Sequence, residues 1–89
     1  MLPNNAEIQN KATTKGPYSS VDYYINETQK IACDTQTKLI TDAKWFFKKE
    51  NPGPKGTVKY FTQDSAELTL YCNAKTDDTS AISILIEEK

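Results

Sequence analysis

The sequence has no histidine and no arginine, and only three glycines and two cysteines among its 89 residues. Without histidine, the chain lacks the commonest general base and the commonest metal ligand of proteins. Without arginine, it lacks the side chain that makes bidentate contacts to phosphates and guanine. Eleven basic residues, all lysine, stand against twelve acidic ones and give a net charge of −1. These features argue against a nucleic-acid partner, since such proteins usually carry a basic surplus.

Catalytic motifs are absent as well. The sequence contains no glycine-rich phosphate loop and no Cys-x-x-Cys motif. The adjacent carboxylates at 77–78 and 87–88 would point to opposite faces of a strand, which is poor geometry for shared acid–base work. We therefore predict a protein that is not an enzyme and that uses no cofactor and no metal ion.

Long apolar segments are also missing. The longest stretch, 81–86, has six residues, whereas a helix needs about 20 to cross a bilayer. Residues 1–5 have neither the basic flank nor the apolar core of a signal peptide. We expect no membrane span in this segment, which is then either cytosolic or excised from a longer secreted chain.

The two cysteines, Cys33 and Cys72, bear on that choice. An even number of cysteines in a short chain suits one disulfide, because a core this small gains from a covalent link. The two cysteines are 39 positions apart. Closing a loop of this size stabilises the fold by about 4 kcal/mol in the chain-entropy account. Two buried reduced thiols are the alternative, since free cysteine packs well in a core. A disulfide would favour an extracellular or secreted protein.

Apolar and polar residues alternate over most of the chain after residue 17, which is typical of β-strands with two unlike faces. Residues 1–17 hold few large apolar side chains and are predicted to form a flexible leader before a domain spanning 18–89. The segment 37–42 fits either a loop or a helical turn. Eleven threonines favour strands. The alternating runs lie at 21–25, 31–34, 43–49, 57–62, 67–76 and 81–88.

Cys33, Trp45 and the pair Tyr71–Cys72, which follows Asp64–Ser65–Ala66, resemble the pattern of a compact C2-type immunoglobulin-superfamily domain. The resemblance implies an all-β fold, a two-sheet antiparallel sandwich of about six to seven strands. It also implies an inter-sheet disulfide between the two cysteines, with the tryptophan packed against it. The runs 31–34, 43–49, 67–76 and 81–88 become strands B, C, F and G. The core residues are then Trp45, Ile31, Leu70 and Ile84.

Strands C, F and G are neighbours in one sheet of such a domain, so the residues beside their inward ones would line up across its solvent-facing side. These are Phe46, Tyr71 and Leu85. Exposed apolar patches often mark protein contacts, and aromatic side chains often dominate the binding energy. Single exposed aromatics are also normal, and the leader or a neighbouring domain would be another way to cover them. We predict that this surface binds another protein, with a second copy of the chain as one candidate.

One modification motif accompanies these features. Asn26–Glu27–Thr28 matches the N-glycosylation sequon of secreted proteins and lies in a predicted turn. Asn26 is therefore a candidate glycosylation site.

Three functions remain open. The first, implied by the resemblance, is an extracellular interaction module of an adhesion molecule or receptor ectodomain. The second is a small secreted inhibitor or effector stabilised by its disulfide. The third is an intracellular structural immunoglobulin-like module with both thiols reduced, which thiol titration would separate from the others.

Overall fold

The computed structural model describes residues 2–3, 6–15, 18–53 and 55–88, with the backbone alone for residues 8–15. Within these residues, the fold is one antiparallel sheet of six strands and one helix. The sheet order is β1-β2-β6-β5-β4-β3, which makes β1 and β3 the edge strands. The elements in chain order are β1 (Glu7–Lys15), β2 (Tyr18–Ile25), α1 (Gln29–Asp42), β3 (Phe46–Pro52), β4 (Gly56–Gln63), β5 (Ala66–Ala74) and β6 (Ser80–Glu88).

The prediction of a β-rich fold is confirmed, but the predicted arrangement of two sheets is wrong for the described residues. All their strands belong to one sheet, and the residues assigned to strand B, 31–34, lie inside α1. The segment 29–42 contains no glycine or proline that would interrupt a helix. Its buried residues recur at the spacing of one helix face, which the short alternation at 31–34 obscured. These buried residues are Ala32, Cys33, Gln36 and Ile40.

Both ends of α1 are capped by local hydrogen bonds. At the start, the Thr28 hydroxyl accepts a hydrogen bond from the Ile31 amide at 3.5 Å. At the end, Lys44 adopts a left-handed conformation with φ 73°, and its amide donates to the Thr41 carbonyl at 3.0 Å. The Trp45 amide donates to the Ile40 carbonyl at 3.3 Å. This pair of bonds is a Schellman motif, which turns the chain from α1 towards β3.

The hydrophobic core lies between α1 and one face of the sheet. The predicted inward residues Trp45, Leu70 and Ile84 lie in this core. Ile31, also predicted to be a core residue, is instead 53% exposed, because the helix turns its side chain away from the sheet. The buried apolar residues are Tyr23, Ile25, Ala32, Cys33, Ile40, Trp45, Phe61, Leu68, Leu70, Cys72, Ile82 and Ile84.

A disulfide joins Cys33 of α1 to Cys72 of β5, with their Cα atoms 5.4 Å apart. The predicted pairing is therefore confirmed, but its place in the fold differs from the prediction. It links the helix to the sheet, whereas the immunoglobulin resemblance implied a link between two sheets. Both cysteines are buried, so the link lies within the core that α1 and the sheet share.

Three glutamine or tyrosine side chains inside this interface form hydrogen bonds. The Tyr23 hydroxyl donates a hydrogen bond to Oε1 of Gln36, and both side chains are fully buried. At the start of α1, Gln29 Nε2 donates to the Cys72 carbonyl at 3.1 Å. Because an unpaired buried polar group costs about 1–3 kcal/mol, these bonds fix one orientation of α1 on the sheet.

Part of the segment predicted as a leader belongs to the sheet. Glu7–Lys15 forms β1 and pairs with β2 antiparallel, from Glu7 opposite Tyr24 to Lys15 opposite Tyr18. The segment has little apolar character. A strand can pair with the edge of β2 through backbone hydrogen bonds alone, without apolar side chains. The hydropathy pattern therefore did not predict this strand.

Candidate protein-binding face

The face of the sheet opposite α1, here called the outer face, carries the residues that alternate with the buried ones. On β5, buried Leu70 and Cys72 flank Tyr71, which is 37% exposed. On β6, buried Ile84 precedes the half-buried Leu85. Because successive side chains of a strand point to opposite faces, Tyr71 and Leu85 lie on the outer face.

The structure also places the third predicted residue, Phe46, on this face, where it is 70% exposed. The three residues do not form one row. Strand β4 separates β3 from β5, so the predicted adjacency of the strands carrying Phe46 and Tyr71 is wrong. In the register of the sheet, Leu85 lies opposite Thr69, and Thr69 lies opposite Tyr60. Tyr60 therefore occupies the space between the three predicted residues.

Several outer-face residues were not identified from the sequence. Buried Phe61 on β4 faces α1, so its neighbour Tyr60 faces outward. Tyr23 of β2 is buried, so Tyr24 and Tyr18, which alternate with it along the strand, lie on the outer face. The alternation of these strands was visible in the sequence, but it did not show which set faced the core. The outer face thus carries aromatic side chains on β2, β3, β4 and β5.

Charged groups of both signs lie among these aromatics. Lys48 Nζ lies 3.5 Å from a carboxylate oxygen of Glu67. A hydrogen bond from the Tyr18 hydroxyl to the Glu87 carboxylate, together with the charge of that carboxylate, raises the pKa of Tyr18 above its usual value. These contacts are exposed and contribute little to stability. They give the face a mixed charge rather than a single sign.

Two lysines contact aromatic rings. Lys49 Nζ lies 4.9 Å from the centre of the Tyr60 ring, and Lys75 Nζ lies 3.7 Å from the centre of the Tyr24 ring. At exposed sites such cation–π contacts are worth about 0.5–1 kcal/mol. They hold the tyrosine rings in place and reduce the entropy that a binding partner would have to remove.

The free edge of β3 is poorly suited to accept another strand. All seven of its residues are exposed, and they include Lys48, Lys49 and Pro52. The pairing with β4 is also interrupted by a register shift between Phe47 and Lys49. Charged residues, proline and irregular pairing are the devices that keep edge strands from associating. A partner would therefore bind the outer face more readily than it would add a strand to the β3 edge.

Other kinds of site find little support in the described part of the chain. Its acidic and cysteine residues form no group that could hold a metal ion. Its helix is too short and too polar to cross a membrane. Asn26, the candidate glycosylation site, lies exposed in the loop between β2 and α1.

Comparison with known proteins returned no relatives. No family model, no curated protein and no solved structure matches this sequence.

Proposed function

We propose that this protein is an extracellular, non-catalytic protein–protein interaction module, and that its outer face binds the outer face of a second copy of the chain. The observation that carries the proposal is the exposure of Phe46 and Tyr71 on the side of the sheet that α1 leaves free. Leu85 and Tyr60 extend the same surface. Aromatic anchors at the centre of an interface often supply most of its binding energy.

The disulfide supports the extracellular location. Cys33 and Cys72 are joined in the core, and disulfides persist mainly in oxidising compartments. The described residues contain no free cysteine, so nothing in them requires a reducing environment.

A second copy is favoured as the partner by the charge of the chain. The net charge is −1, so long-range repulsion between copies is weak. The outer face also offers complementary groups to itself, since Lys48 and Lys49 lie near one side and Glu87 lies towards the other. In a two-fold arrangement each copy presents both sets to its partner.

The dimensions of the face predict a weak and reversible dimer. Five strands spaced about 4.8 Å apart and about 25 Å long give roughly 500–600 Å² on each copy. The pair would bury about 1,100 Å², close to the lower limit for specific interfaces. Such an area suits contacts that gain strength from many copies acting together, as between cell surfaces.

Sedimentation velocity from micromolar to millimolar protein tests the proposal. The native chain should associate reversibly, and Phe46→Ala or Tyr71→Ala should raise the dissociation constant by roughly 5- to 150-fold, equivalent to about 1–3 kcal/mol. Ile31→Ala is the matched control, because Ile31 is 53% exposed on the side of α1 turned away from the sheet. This control should leave association unchanged.

Thermal unfolding of each variant completes the test. Phe46 and Tyr71 lie outside the core, so their variants should unfold within a few degrees of the native chain. A chain that stays monomeric at every concentration would refute binding to a second copy. Equal losses in Ile31→Ala would show that the association does not use the outer face.

A further inference from the structure

The loop between β2 and α1 contains the N-glycosylation sequon Asn26–Glu27–Thr28. Among the six asparagines, Asn26 alone is followed two residues later by serine or threonine with no intervening proline. We propose that Asn26 is N-glycosylated and that the glycan leaves the Phe46 end of the outer face open. This inference rests on the extracellular location in the proposed function.

The environment of Asn26 fits an acceptor. The residue is exposed and directly follows Ile25, the last residue of β2. Its amide oxygen accepts a hydrogen bond from the Thr79 hydroxyl at 3.3 Å. No described residue accepts a hydrogen bond from its amide nitrogen, the atom that would carry the sugar. A glycan on this atom would extend into solvent and disturb no core contact.

The transfer requires a lipid-linked oligosaccharide pyrophosphate as the donor. A bond forms between Nδ2 of Asn26 and C1 of the first sugar, while the bond from C1 to the pyrophosphate oxygen breaks. One proton of the amide passes to a base of the transferase, and the lipid pyrophosphate leaves. No electrons are exchanged with an oxidant or reductant.

The fold indicates when this transfer takes place. The transferase must recognise the Thr28 hydroxyl, which caps α1 in the folded chain. Cys33, five residues further along in α1, is linked to Cys72. Both contacts hold the sequon in one conformation. Transfer therefore precedes formation of α1 and the disulfide, and slower disulfide formation should raise the fraction of glycosylated chains.

The glycan would lie far from Phe46, the more exposed of the two predicted anchors of the interface. Ile25 pairs with Ser80 at one end of β6, whereas Phe46 lies level with Glu87 near the other end through the register of the intervening strands. Glu87 follows Ser80 by seven positions of extended strand, a distance of roughly 23 Å. A glycan on Asn26 therefore leaves the Phe46 end of the face accessible.

Expression of the full chain behind a secretion signal in eukaryotic cells tests the inference. Intact mass before and after treatment with an N-glycan-releasing enzyme should differ for the native chain and for Thr28→Ser, which keeps the sequon. The difference should be absent in Asn26→Gln and in Thr28→Asp. Because aspartate is also a good N-cap, Thr28→Asp should unfold at nearly the native temperature, which excludes misfolding as the cause. A native chain that is secreted and folded without a glycan would overturn the inference.

Sedimentation of the same samples separates this inference from the proposed function. The glycosylated and enzyme-treated chains should associate with dissociation constants within about tenfold of each other, since the glycan lies away from Phe46 although Tyr71, opposite Ser83, is nearer to it. A glycosylated chain that remains monomeric in both forms would refute binding to a second copy while the modification stands. A glycan whose removal raises affinity more than tenfold would contradict the proposed geometry.

Discussion

Reduction of the Cys33–Cys72 disulfide should remove a large part of the stability of this protein. The bond closes a loop with a sequence separation of 39 residues between α1 and β5. In the chain-entropy account, releasing such a loop in the unfolded state lowers the free energy of unfolding by about 4 kcal/mol. A domain of this length has about 4–13 kcal/mol in total. The reduced protein should therefore be marginally stable or partly unfolded at room temperature.

Urea denaturation followed by Trp45 fluorescence measures this effect. Trp45 is 8% exposed, so its emission should be blue in the folded state and should move to the red on unfolding. With a urea dependence of about 1–2 kcal/mol per molar, the midpoint should fall by roughly 2–4 M on reduction. The same chain is compared with and without reductant, so no side-chain volume is lost from the core.

The double variant Cys33→Ala/Cys72→Ala is the control. It should unfold near the midpoint of the reduced native chain, with a further small loss for the missing sulfur atoms, and reductant should not change it. A loss below about 1 kcal/mol on reduction would refute the reasoning. It would mean that packing and hydrogen bonds alone hold α1 on the sheet.

Two further predictions concern a backbone position and a buried tyrosine. Lys44→Gly should raise the free energy of unfolding by about 0.5–1 kcal/mol in urea denaturation. The reason is that Lys44 has φ 73°, a conformation in which glycine carries no steric cost. The control Lys38→Gly, within α1, should lower the free energy of unfolding by a similar amount. Burial, and secondarily the charge of Glu27, raise the pKa of Tyr23. The unfolded chain therefore loses this proton first, and stability should fall as pH rises above about 10. Urea denaturation at about pH 8 and about pH 11 measures this fall, which should be smaller in Tyr23→Phe; an equal fall in that variant would contradict the assignment.

Four strands could be predicted from the sequence, because their alternation extends over five residues or more and turn-forming residues flank them. The predicted runs 21–25, 57–62, 67–76 and 81–88 all overlap strands of the sheet. The run 43–49 was placed too early, since Lys44 and Trp45 complete the end of α1 before β3 begins at Phe46. Period-two patterns identify strands well, but they locate a boundary beside a helix poorly.

The helix was missed because its buried face is not uniformly apolar. Gln36 occupies a core position and hydrogen bonds to Tyr23, which no hydropathy pattern anticipates. Ile31, the most apolar residue of the first turn, faces solvent. The threonine cap at residue 28, together with the absence of glycine and proline over 29–42, was the available signal.

The outer face was only partly predictable for a different reason. Because Cys72 and Ile84 were predicted to face the core, their neighbours Tyr71 and Leu85 were predicted to face solvent. The structure places both on the same face. The position of Tyr60 between them and Phe46 depends on the strand order, which places β4 beside β5. Alternation along one strand contains no information on which strand is its neighbour.

Concentration-dependent NMR of methyl groups tests the central claim most directly, since Ile84 and Leu85 are adjacent in β6 but lie on opposite faces. Ile84 is 3% exposed and faces α1. The proposal predicts that raising the protein concentration shifts the Leu85 methyl signals and the Phe46 ring signals, while those of Ile84 and Ile31 stay constant. Shifts confined to Ile31, or no shift of Leu85 up to millimolar protein, would contradict binding between outer faces.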